Sequence, residues 1–314
     1  MSMDQLLKYE GRNPRPADFD AYWEAGLAEM NATDPKPELI ANPLKSSIAD
    51  CFNLYFTGVG GARIHAKYLR PKQSKGKRPA VLQFHGYTGN SGDWQEKLAY
   101  VSQGFSVAAL DCRGQGGLSE DLSFVKGNTH KGHIIRGLDD APEKLYYRQM
   151  YLDTAMLARV VMAMPEVDPD RVGATGGSQG GGLTLACASL VPRIKLAAPV
   201  FPFLCDYKRV WEMDLAVGAY EELRAYFRHF DPHHERENAI FERLGYIDNQ
   251  FLTPRIQAEV LMPFGMMDTI CPPSTQFAAY NRITSKKSLL VYPDFGHEGL
   301  PGCSDKIFDF LAEL

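Results

Sequence analysis

Six short apolar runs recur along the chain between polar and helical stretches. They are Ala80 to Phe84, Phe105 to Leu110, Val172 to Thr175, Leu196 to Phe201, Val260 to Phe264 and Ser288 to Tyr292. Nearly continuous apolar runs of this length are typical of strands that are buried on both faces. Helical patterns separate most of these runs, so the chain is predicted to form an α/β fold with a mostly parallel sheet flanked by helices.

Two helices and one hairpin are predicted around this sheet. Asp18 to Met30 places apolar residues at helical spacing, and Glu143 to Met164 has a broad apolar face that ends before a proline. Leu54 to Thr57 and Arg63 to Leu69 are β-prone and flank a glycine-rich connection, which indicates an antiparallel hairpin. A polar linker over Pro71 to Lys77 follows the hairpin.

One long stretch does not fit the strand pattern. Between Leu204 and about Ala258 the chain is charged, aromatic and helical in character, and it is too long for an ordinary connection. We interpret residues 205–257, approximately, as a helical cap inserted over the sheet, and residues 1–50 as an N-terminal helical extension. Residues 1–314 are then expected to form a single domain.

Composition excludes several classes of protein. The chain has 34 basic and 38 acidic residues, a formal charge of −4, and 45% hydrophobic residues, which is unlike a basic nucleic-acid binder or a disordered chain. The N-terminus lacks the pattern of a signal peptide, and the longest apolar run, Leu196 to Cys205, is far below the ~18 residues that a membrane span needs. We therefore expect a cytoplasmic protein with no membrane or nucleic-acid partner.

The motif Gly176-Gly-Ser178-Gln-Gly180 directly follows a predicted strand and matches G-x-S-x-G. In this motif the serine lies on a strained turn between a strand and a helix, and the glycines leave room for neighbouring backbone. Ser178 is therefore predicted to be an exposed nucleophile. A glycine-rich structural turn is the alternative.

A serine nucleophile requires a histidine base and an acid that orients the histidine, here in the chain order serine, acid, histidine. Of the eight histidines, His297 is the one that follows the last predicted strand. Asp268 follows the fifth apolar run and is the favoured acid. Asp206, which follows the preceding run, is the alternative, and Asp294 is expected to be a surface-loop residue.

Hydrolysis of an ester also requires two backbone N–H groups that stabilise the oxyanion. Gln179 supplies one by its position directly after Ser178. The loop His85 to Gly89 follows the first apolar run, and Tyr87 is the expected second donor. The tyrosine side chain is also a candidate for lining the acyl pocket, and a plain turn is the alternative.

No cofactor or metal is predicted. The chain has neither a G-x-G-x-x-G motif nor a Walker A loop. His130 and His133, and likewise His233 and His234, lack an H-E-x-x-H spacing or a third spaced ligand, so they are interpreted as surface or cap histidines. Six scattered cysteines without a C-x-x-C pair are expected to be reduced core thiols.

Several motifs together are more specific than G-x-S-x-G. They are His85-Gly-Tyr-Thr-Gly89, Asp111-Cys-Arg-Gly-Gln-Gly-Gly117, Gly176-Gly-Ser-Gln-Gly180, Met267-Asp-Thr-Ile-Cys-Pro-Pro-Ser-Thr275 and Gly296-His-Glu298. In these residues the chain resembles carbohydrate esterase family seven, the acetyl xylan esterases and cephalosporin C deacetylases. The resemblance extends from the N-terminal helix to the C-terminus.

This resemblance implies the α/β-hydrolase fold and Ser178, Asp268 and His297 as a catalytic triad, with Tyr87 and Gln179 at the oxyanion. It further implies an intracellular homohexamer, built as a trimer of dimers, that removes acetyl groups from small acetylated sugars such as xylo-oligosaccharides and accepts acetylated cephalosporins.

Arg113 and Gln115 belong to one of the shared motifs. We expect them to hold the active-site loops together through hydrogen bonds, although a solvated arginine is an alternative.

Two other functions remain open at this point. The same fold also supports general carboxylesterases and oligopeptidase-like hydrolases, because fold does not determine the substrate. A non-catalytic binding protein is disfavoured because every predicted residue of the relay and of the oxyanion site is present.

Overall fold

The computed structural model describes residues 1–73, 76–128 and 130–314. Its strands are β1 (Glu38–Ala41), β2 (Ala49–Thr57), β3 (Arg63–Pro71), β4 (Arg78–Phe84), β5 (Ser106–Leu110), β6 (Val167–Gly177), β7 (Leu196–Val200), β8 (Glu259–Gly265) and β9 (Lys287–Tyr292). Its helices are α1 (Met3–Leu6), α2 (Phe19–Ala32), α3 (Leu98–Ser102), α4 (Tyr146–Met162), α5 (Gln179–Leu190), α6 (Tyr207–Glu212), α7 (Glu221–Phe230), α8 (Glu237–Gly245), α9 (Asn249–Leu252), α10 (Pro273–Tyr280) and α11 (Cys303–Leu311).

The described strands form one sheet in the order β1-β2-β3-β5-β4-β6-β7-β8-β9. The pairs β1/β2, β2/β3 and β3/β5 are antiparallel, and all the remaining pairs are parallel. Each of the six apolar runs corresponds to a strand, although Phe105 and Phe201 lie one residue outside β5 and β7. The predicted hairpin is formed by β2 and β3, in which Thr57 pairs with Arg63. Sequence reasoning missed β1, a strand of only four residues at the edge of the sheet, all of which are exposed.

The sheet separates two hydrophobic cores, and alternate residues of a strand belong to different cores. In β4, Ala80 and Leu82 pack in the core that contains α2, α4 and α5, whereas Val81 packs in the core that contains α3 and α11. This period of two follows from the alternation of side chains along a strand. The predicted α/β fold is confirmed, with antiparallel strands added at one edge.

The long central helix begins later than predicted. Helix α4 starts at Tyr146 because Leu145 has an extended ψ of 129° and a separate 3₁₀ turn covers Pro142–Lys144. The helix ends at Met162, shortly before Pro165. Helix α2 matches the predicted N-terminal helix to within two residues at its end.

Residues 205–257, all of them described, contain α6 to α9 and no strand. Their aromatic side chains pack on one another, with Trp211 stacked on Phe227 at 4.5 Å and Phe227 on Phe241 at 6.0 Å between ring centroids. These aromatic side chains are continuous with the hydrophobic core that contains α2, α4 and α5, so this stretch is packed onto the sheet.

The cysteines, the absence of a predicted membrane span and the polar linker are three further expectations from the sequence. All six cysteines are unpaired and buried, as predicted. In the described part of the chain, no helix combines the length and the apolar character that crossing a bilayer requires. Residues 74–75 of the predicted linker lie outside the described residues.

Candidate active site

Ser178 lies on the sharp turn between β6 and α5. Its φ of 58° and ψ of −117° are strained for a residue with a side chain. The flanking glycines permit this turn, because a Cβ on Gly176 would lie 2.4 Å from the Phe84 carbonyl oxygen and one on Gly180 only 2.1 Å from it. Glycine is therefore required at positions 176 and 180, because the backbone of β4 passes too close for a side chain.

The structure brings Ser178, His297 and Asp268 together at the carboxyl edge of the sheet. His297 Nε2 lies 2.9 Å from Ser178 Oγ, and His297 Nδ1 lies 2.8 Å from Asp268 Oδ2. Because the ionised carboxylate is only an acceptor, Nδ1 carries the proton and Nε2 is left to accept the serine proton. This is the geometry that activates a serine hydroxyl.

Asp268 is held in place by the turn that follows β8. Its Oδ1 accepts hydrogen bonds from the backbone N–H groups of Ile270 at 2.9 Å and Cys271 at 2.8 Å. The side chain of Asp268 is 0% exposed, whereas that of His297 is 19% exposed. The acid is therefore rigid and the imidazole can be reached by water.

Asp206, the alternative acid, has a different set of partners. Its carboxylate accepts hydrogen bonds from Tyr9 Oη at 2.8 Å and from the backbone N–H groups of Arg12 at 3.0 Å and Asn13 at 2.8 Å. Its own backbone N–H donates to the Asp248 carboxylate. Asp206 thus anchors the N-terminal segment, and His297 makes no hydrogen bond to it. Asp294 is exposed, as expected.

The two predicted oxyanion donors lie at the start of α5 and on the loop after β4. Gln179 is the first residue of α5, and Tyr87 lies on the loop after β4. Within the described part of the chain, neither of these two backbone N–H groups has a hydrogen-bond partner. Two unpaired N–H groups beside a nucleophile are what an oxyanion requires.

His85 shapes the loop that carries Tyr87. Its Nε2 accepts a hydrogen bond from the backbone N–H of Cys112 at 2.9 Å, so its Nδ1 bears the proton and donates to the Gly86 carbonyl oxygen at 2.7 Å. Burial lowers the pKa of His85, which favours this neutral form.

Gln115 joins the loop after β4, which carries the predicted oxyanion donor, to α5, which follows Ser178. Its side-chain amide and that of Gln179 form a reciprocal pair, with N···O distances of 2.8 and 3.0 Å, and Gln115 Oε1 also accepts from the Thr88 backbone N–H at 2.9 Å. Tyr147 Oη donates to Gln179 Oε1 at 2.9 Å. The side chain of Gln179 therefore connects α5 to the loop after β4 through Gln115 and Thr88.

Arg113 is buried and paired, so the solvated alternative is wrong. Its guanidinium makes two hydrogen bonds of 2.6 Å to the Asp153 carboxylate and one of 3.2 Å to the Val59 carbonyl oxygen. Burial raises the pKa of Asp153, although the charge of Arg113 acts in the opposite direction. The pair ties the Arg113 loop to α4 and to the β2–β3 connection.

Sequence reasoning missed two neighbours of the site. Glu222, on α7, accepts a hydrogen bond from Tyr87 Oη at 2.7 Å, and no motif marks this glutamate. Cys271 is buried beside Ser178, and burial together with the charge of Asp268 raises the pKa of its thiol, against the effect of the serine hydroxyl. A protonated thiol is not a competing nucleophile.

Among the described residues, one group has three ligand atoms close enough for a metal ion. Asp268, Cys271 and His297 each offer one atom within 4.8 Å of the others. A metal there would compete with the hydrogen bond between His297 and Asp268, so the group is better explained as part of the serine site. His133 is half-buried and packs between Tyr87 and Tyr146, at centroid distances of 5.3 and 4.8 Å, so the expectation of a surface histidine is wrong for it, whereas His130, His233 and His234 are exposed.

Comparisons with known proteins identify similar esterases. The structure is similar to the crystal structure of acetyl xylan esterase 1 from Thermoanaerobacterium sp. JW/SL YS485, with a TM-score of 0.98 and 57% identity over 100% of this chain and 98% of that one. It is also similar to the acetyl xylan esterase from Paenibacillus sp. R4, with a TM-score of 0.95 and 37% identity over 100% and 99% of the two chains.

A longer relative is the acetyl esterase Axe7A of Xylanibacter ruminicola, which is 29% identical over 92% of this chain. The chain spans only 64% of the length of that protein. The family model for acetyl xylan esterases matches residues 1–314. Together with the α/β-hydrolase-type fold, this match shows that the chain belongs to the acetyl xylan esterase family.

Proposed function

We propose that the protein is a serine esterase that removes acetyl groups from small acetylated carbohydrates, such as xylo-oligosaccharides. The observation that carries this proposal is the hydrogen-bonded chain from Ser178 through His297 to Asp268. The family assignment and the names of the similar esterases support the choice of an acetyl group.

In the first half of the reaction, Ser178 Oγ attacks the acetyl carbonyl carbon while His297 Nε2 takes the hydroxyl proton. The negative charge that develops on the carbonyl oxygen is stabilised by the backbone N–H groups of Tyr87 and Gln179. His297 then donates its proton to the sugar oxygen, the carbon–oxygen bond of the ester breaks, and the alcohol leaves behind an acetyl-serine.

In the second half, His297 takes a proton from water as the water oxygen attacks the acetyl-serine. The same two N–H groups stabilise the second oxyanion, and the proton returns to Ser178 Oγ as acetate leaves. Asp268 stays ionised throughout and holds the histidine in the required tautomer.

The decisive experiment replaces the nucleophile. Ser178→Ala is expected to lower kcat for acetate release from acetylated xylo-oligosaccharides by about 10⁶-fold, because the acyl-enzyme can no longer form. The matched control is Ser304→Ala, which changes an exposed serine on α11 and should leave the rate unchanged. Near-normal turnover by a folded Ser178→Ala protein would show that the serine mechanism is wrong.

Selectivity for short acyl chains distinguishes a deacetylase from a general carboxylesterase. The Tyr87 ring is held between Phe203 and His133, at centroid distances of 5.8 and 5.3 Å, so it cannot easily move to admit a longer chain. Each methylene forced into a full site costs roughly 1–3 kcal/mol, so p-nitrophenyl acetate should exceed the butyrate in kcat/KM by at least about tenfold. Equal rates would favour the carboxylesterase, and hydrolysis of peptides the oligopeptidase alternative.

Deacetylation of cephalosporin C is a further proposal. It is supported by the resemblance of the sequence motifs, and it requires only that the alcohol part of the ester lies outside the acyl site. Acetate release from cephalosporin C, compared between the wild type and Ser178→Ala, tests whether the same serine is used.

We also propose that the chain is one domain, with residues 205–257 as a cap and residues 1–50 as an extension, and that it assembles into a homohexamer. Leu118, Leu122 and Phe124 are 61%, 60% and 89% exposed, and an exposed apolar patch of this kind favours an interface. Light scattering on the purified protein would measure the mass of the assembly.

The cytoplasmic location stays a prediction. The six unpaired cysteines are compatible with it, because the cytoplasm keeps thiols reduced.

A further inference from the structure

We propose that Glu222, on the cap helix α7, is a positioning residue that sets the place of Tyr87 and thereby the size of the acyl site. The inference rests on the proposed function, because it assigns Tyr87 to the oxyanion loop. It adds a role for the cap: one buried carboxylate connects α7 to the reacting centre.

The contact between Glu222 and Tyr87 is short and shielded from water. Tyr87 Oη donates to Glu222 Oε1 at 2.7 Å, and the glutamate is only 2% exposed. The same hydroxyl oxygen accepts a hydrogen bond from the backbone N–H of His133 at 3.0 Å. Since that N–H is itself a donor, the phenol proton needs an acceptor, which Glu222 supplies.

The backbone around the Glu222 carboxylate fits it closely. Glu222 Oε2 accepts a hydrogen bond from the Ile135 backbone N–H at 3.1 Å. Gly132 has a φ of +82°, and a Cβ at this position would lie 2.3 Å from Glu222 Cδ, so the chain passes the carboxylate where only glycine fits. The loop therefore wraps around the glutamate.

Among the described residues, no lysine, arginine or histidine forms an ion pair with Glu222, and the hydrogen bonds to its side chain come from the Tyr87 hydroxyl and the Ile135 backbone N–H. Burial raises the pKa of Glu222 to about 7, while the hydrogen bonds from Tyr87 and from the backbone of residues 133–135 act in the opposite direction. A glutamate on the surface would keep its hydration and would not need these hydrogen bonds. Burial of a carboxylate without a positively charged partner lowers the stability of the protein. A cost of this kind is common at functional sites.

The ring of Tyr87 transmits the effect to the acyl site. Its hydroxyl group is held by Glu222, and its ring contacts Phe203 and His133. Its backbone N–H directly follows Gly86, whose carbonyl oxygen accepts the hydrogen bond from His85. Loss of the Glu222 contact would let the ring rotate, which both enlarges the acyl site and misplaces an oxyanion donor. Misplacement by about 1 Å can lower a rate by up to 10²-fold.

The test compares Glu222→Gln with Glu221→Gln as the matched control. Glu221 is the preceding residue on α7 and forms only an exposed ion pair with Lys131, at 2.6 Å. With active sites counted by a serine-directed inhibitor, Glu222→Gln should lower kcat for p-nitrophenyl acetate by about tenfold, with KM changed less than threefold. Glu221→Gln should match the wild type.

The acyl preference is the second readout, because a ratio of two kcat/KM values does not depend on the fraction of folded protein. The acetate-to-butyrate ratio should fall at least threefold in Glu222→Gln. Tyr87→Phe, which removes the other side of the same hydrogen bond, should give a similar fall, and it serves as the test if Glu222→Gln does not fold. The double variant should be no worse than the worse single variant.

An unchanged acyl ratio in both single variants, or losses that multiply in the double variant, would overturn the role of Glu222. Such a result leaves the proposed function intact as long as Ser178→Ala is inactive. An active Ser178→Ala protein would instead contradict the proposed function itself.

Discussion

At the scale of single residues, the site shows how two aspartates with similar sequence positions acquire different roles. Asp268 and Asp206 each follow a strand of the sheet. Asp268 has one oxygen bonded to its own turn and the other free to face His297. Asp206 has both oxygens occupied by the segment that contains Tyr9 and Asn13. The partners available in space, and not the residue type, decide the role.

We expect Asp268→Asn to lower kcat by about 10⁴-fold, because an amide at this position stabilises the wrong histidine tautomer. Steady-state hydrolysis of p-nitrophenyl acetate measures the effect. Asp206→Asn is the matched control, and it should retain nearly normal kcat while the folded protein becomes less stable to urea. The opposite ranking of the two kcat values would move the acid to Asp206.

At the scale of secondary-structure elements, loops that are distant in sequence are held together by a few polar side chains. Gln115 connects the oxyanion loop to α5, and Arg113 connects its own loop to α4 through Asp153. Both partners of the latter pair are almost fully buried, at 2% and 1% exposure. Removal of one charge therefore leaves the other buried and unpaired.

Arg113→Met is accordingly expected to lower the free energy of unfolding by about 3–5 kcal/mol, as measured by urea denaturation. The double variant Arg113→Met/Asp153→Leu should recover most of this loss, because it replaces the pair with apolar groups. Arg193→Met is the control: its ion pair with Asp170 is exposed to solvent, so this variant should unfold at nearly the same urea concentration as the wild type. A double variant as unstable as Arg113→Met would contradict this account of the pair.

At the scale of the whole molecule, buried acids connect the added segments to the sheet. Asp206 and Asp248 hold the N-terminal segment, and Glu222 connects the cap to the oxyanion loop. Burial raises the pKa of Asp248, and the charge of Asp206 adds to the effect, while the pKa of Glu222 is about 7. Burial of these carboxyls lowers the free energy of unfolding by an amount that depends on pH.

The expected consequence of the raised pKa values of Glu222 and Asp248 is a contribution to stability that is lost as pH rises from about 4 to 7. The unfolded chain releases these protons near pH 4 and the folded chain only near pH 7, so in this window the folded state binds more protons. Each such group contributes a slope of up to about 1.4 kcal/mol per pH unit. Urea denaturation at pH 5.5 and pH 8 should show the loss in the wild type and a smaller one in Glu222→Gln. Equal losses in the two proteins would exclude Glu222 as a source.

The sequence by itself determined the features that depend on neighbours along the chain. The buried strands, the helices at α2 and α4, the strained serine turn and the shared motifs all follow from local patterns, and the predicted family and fold are confirmed. The edge strand β1 was not predicted, because its apolar run Leu39 to Ala41 is too short to distinguish a strand from a loop.

Only the tertiary structure decided between partners that are far apart in sequence. Examples are the contact of Ser178 with His297, the contact of Asp206 with Tyr9, the ion pair of Arg113 with Asp153, and the contact of Glu222 with Tyr87. In each of these pairs the two residues are tens to hundreds of positions apart in the chain. A single sequence carries periodicity and composition, which report burial and local conformation. It does not carry the register in which folded elements meet, and that register determines which carboxylate faces which histidine.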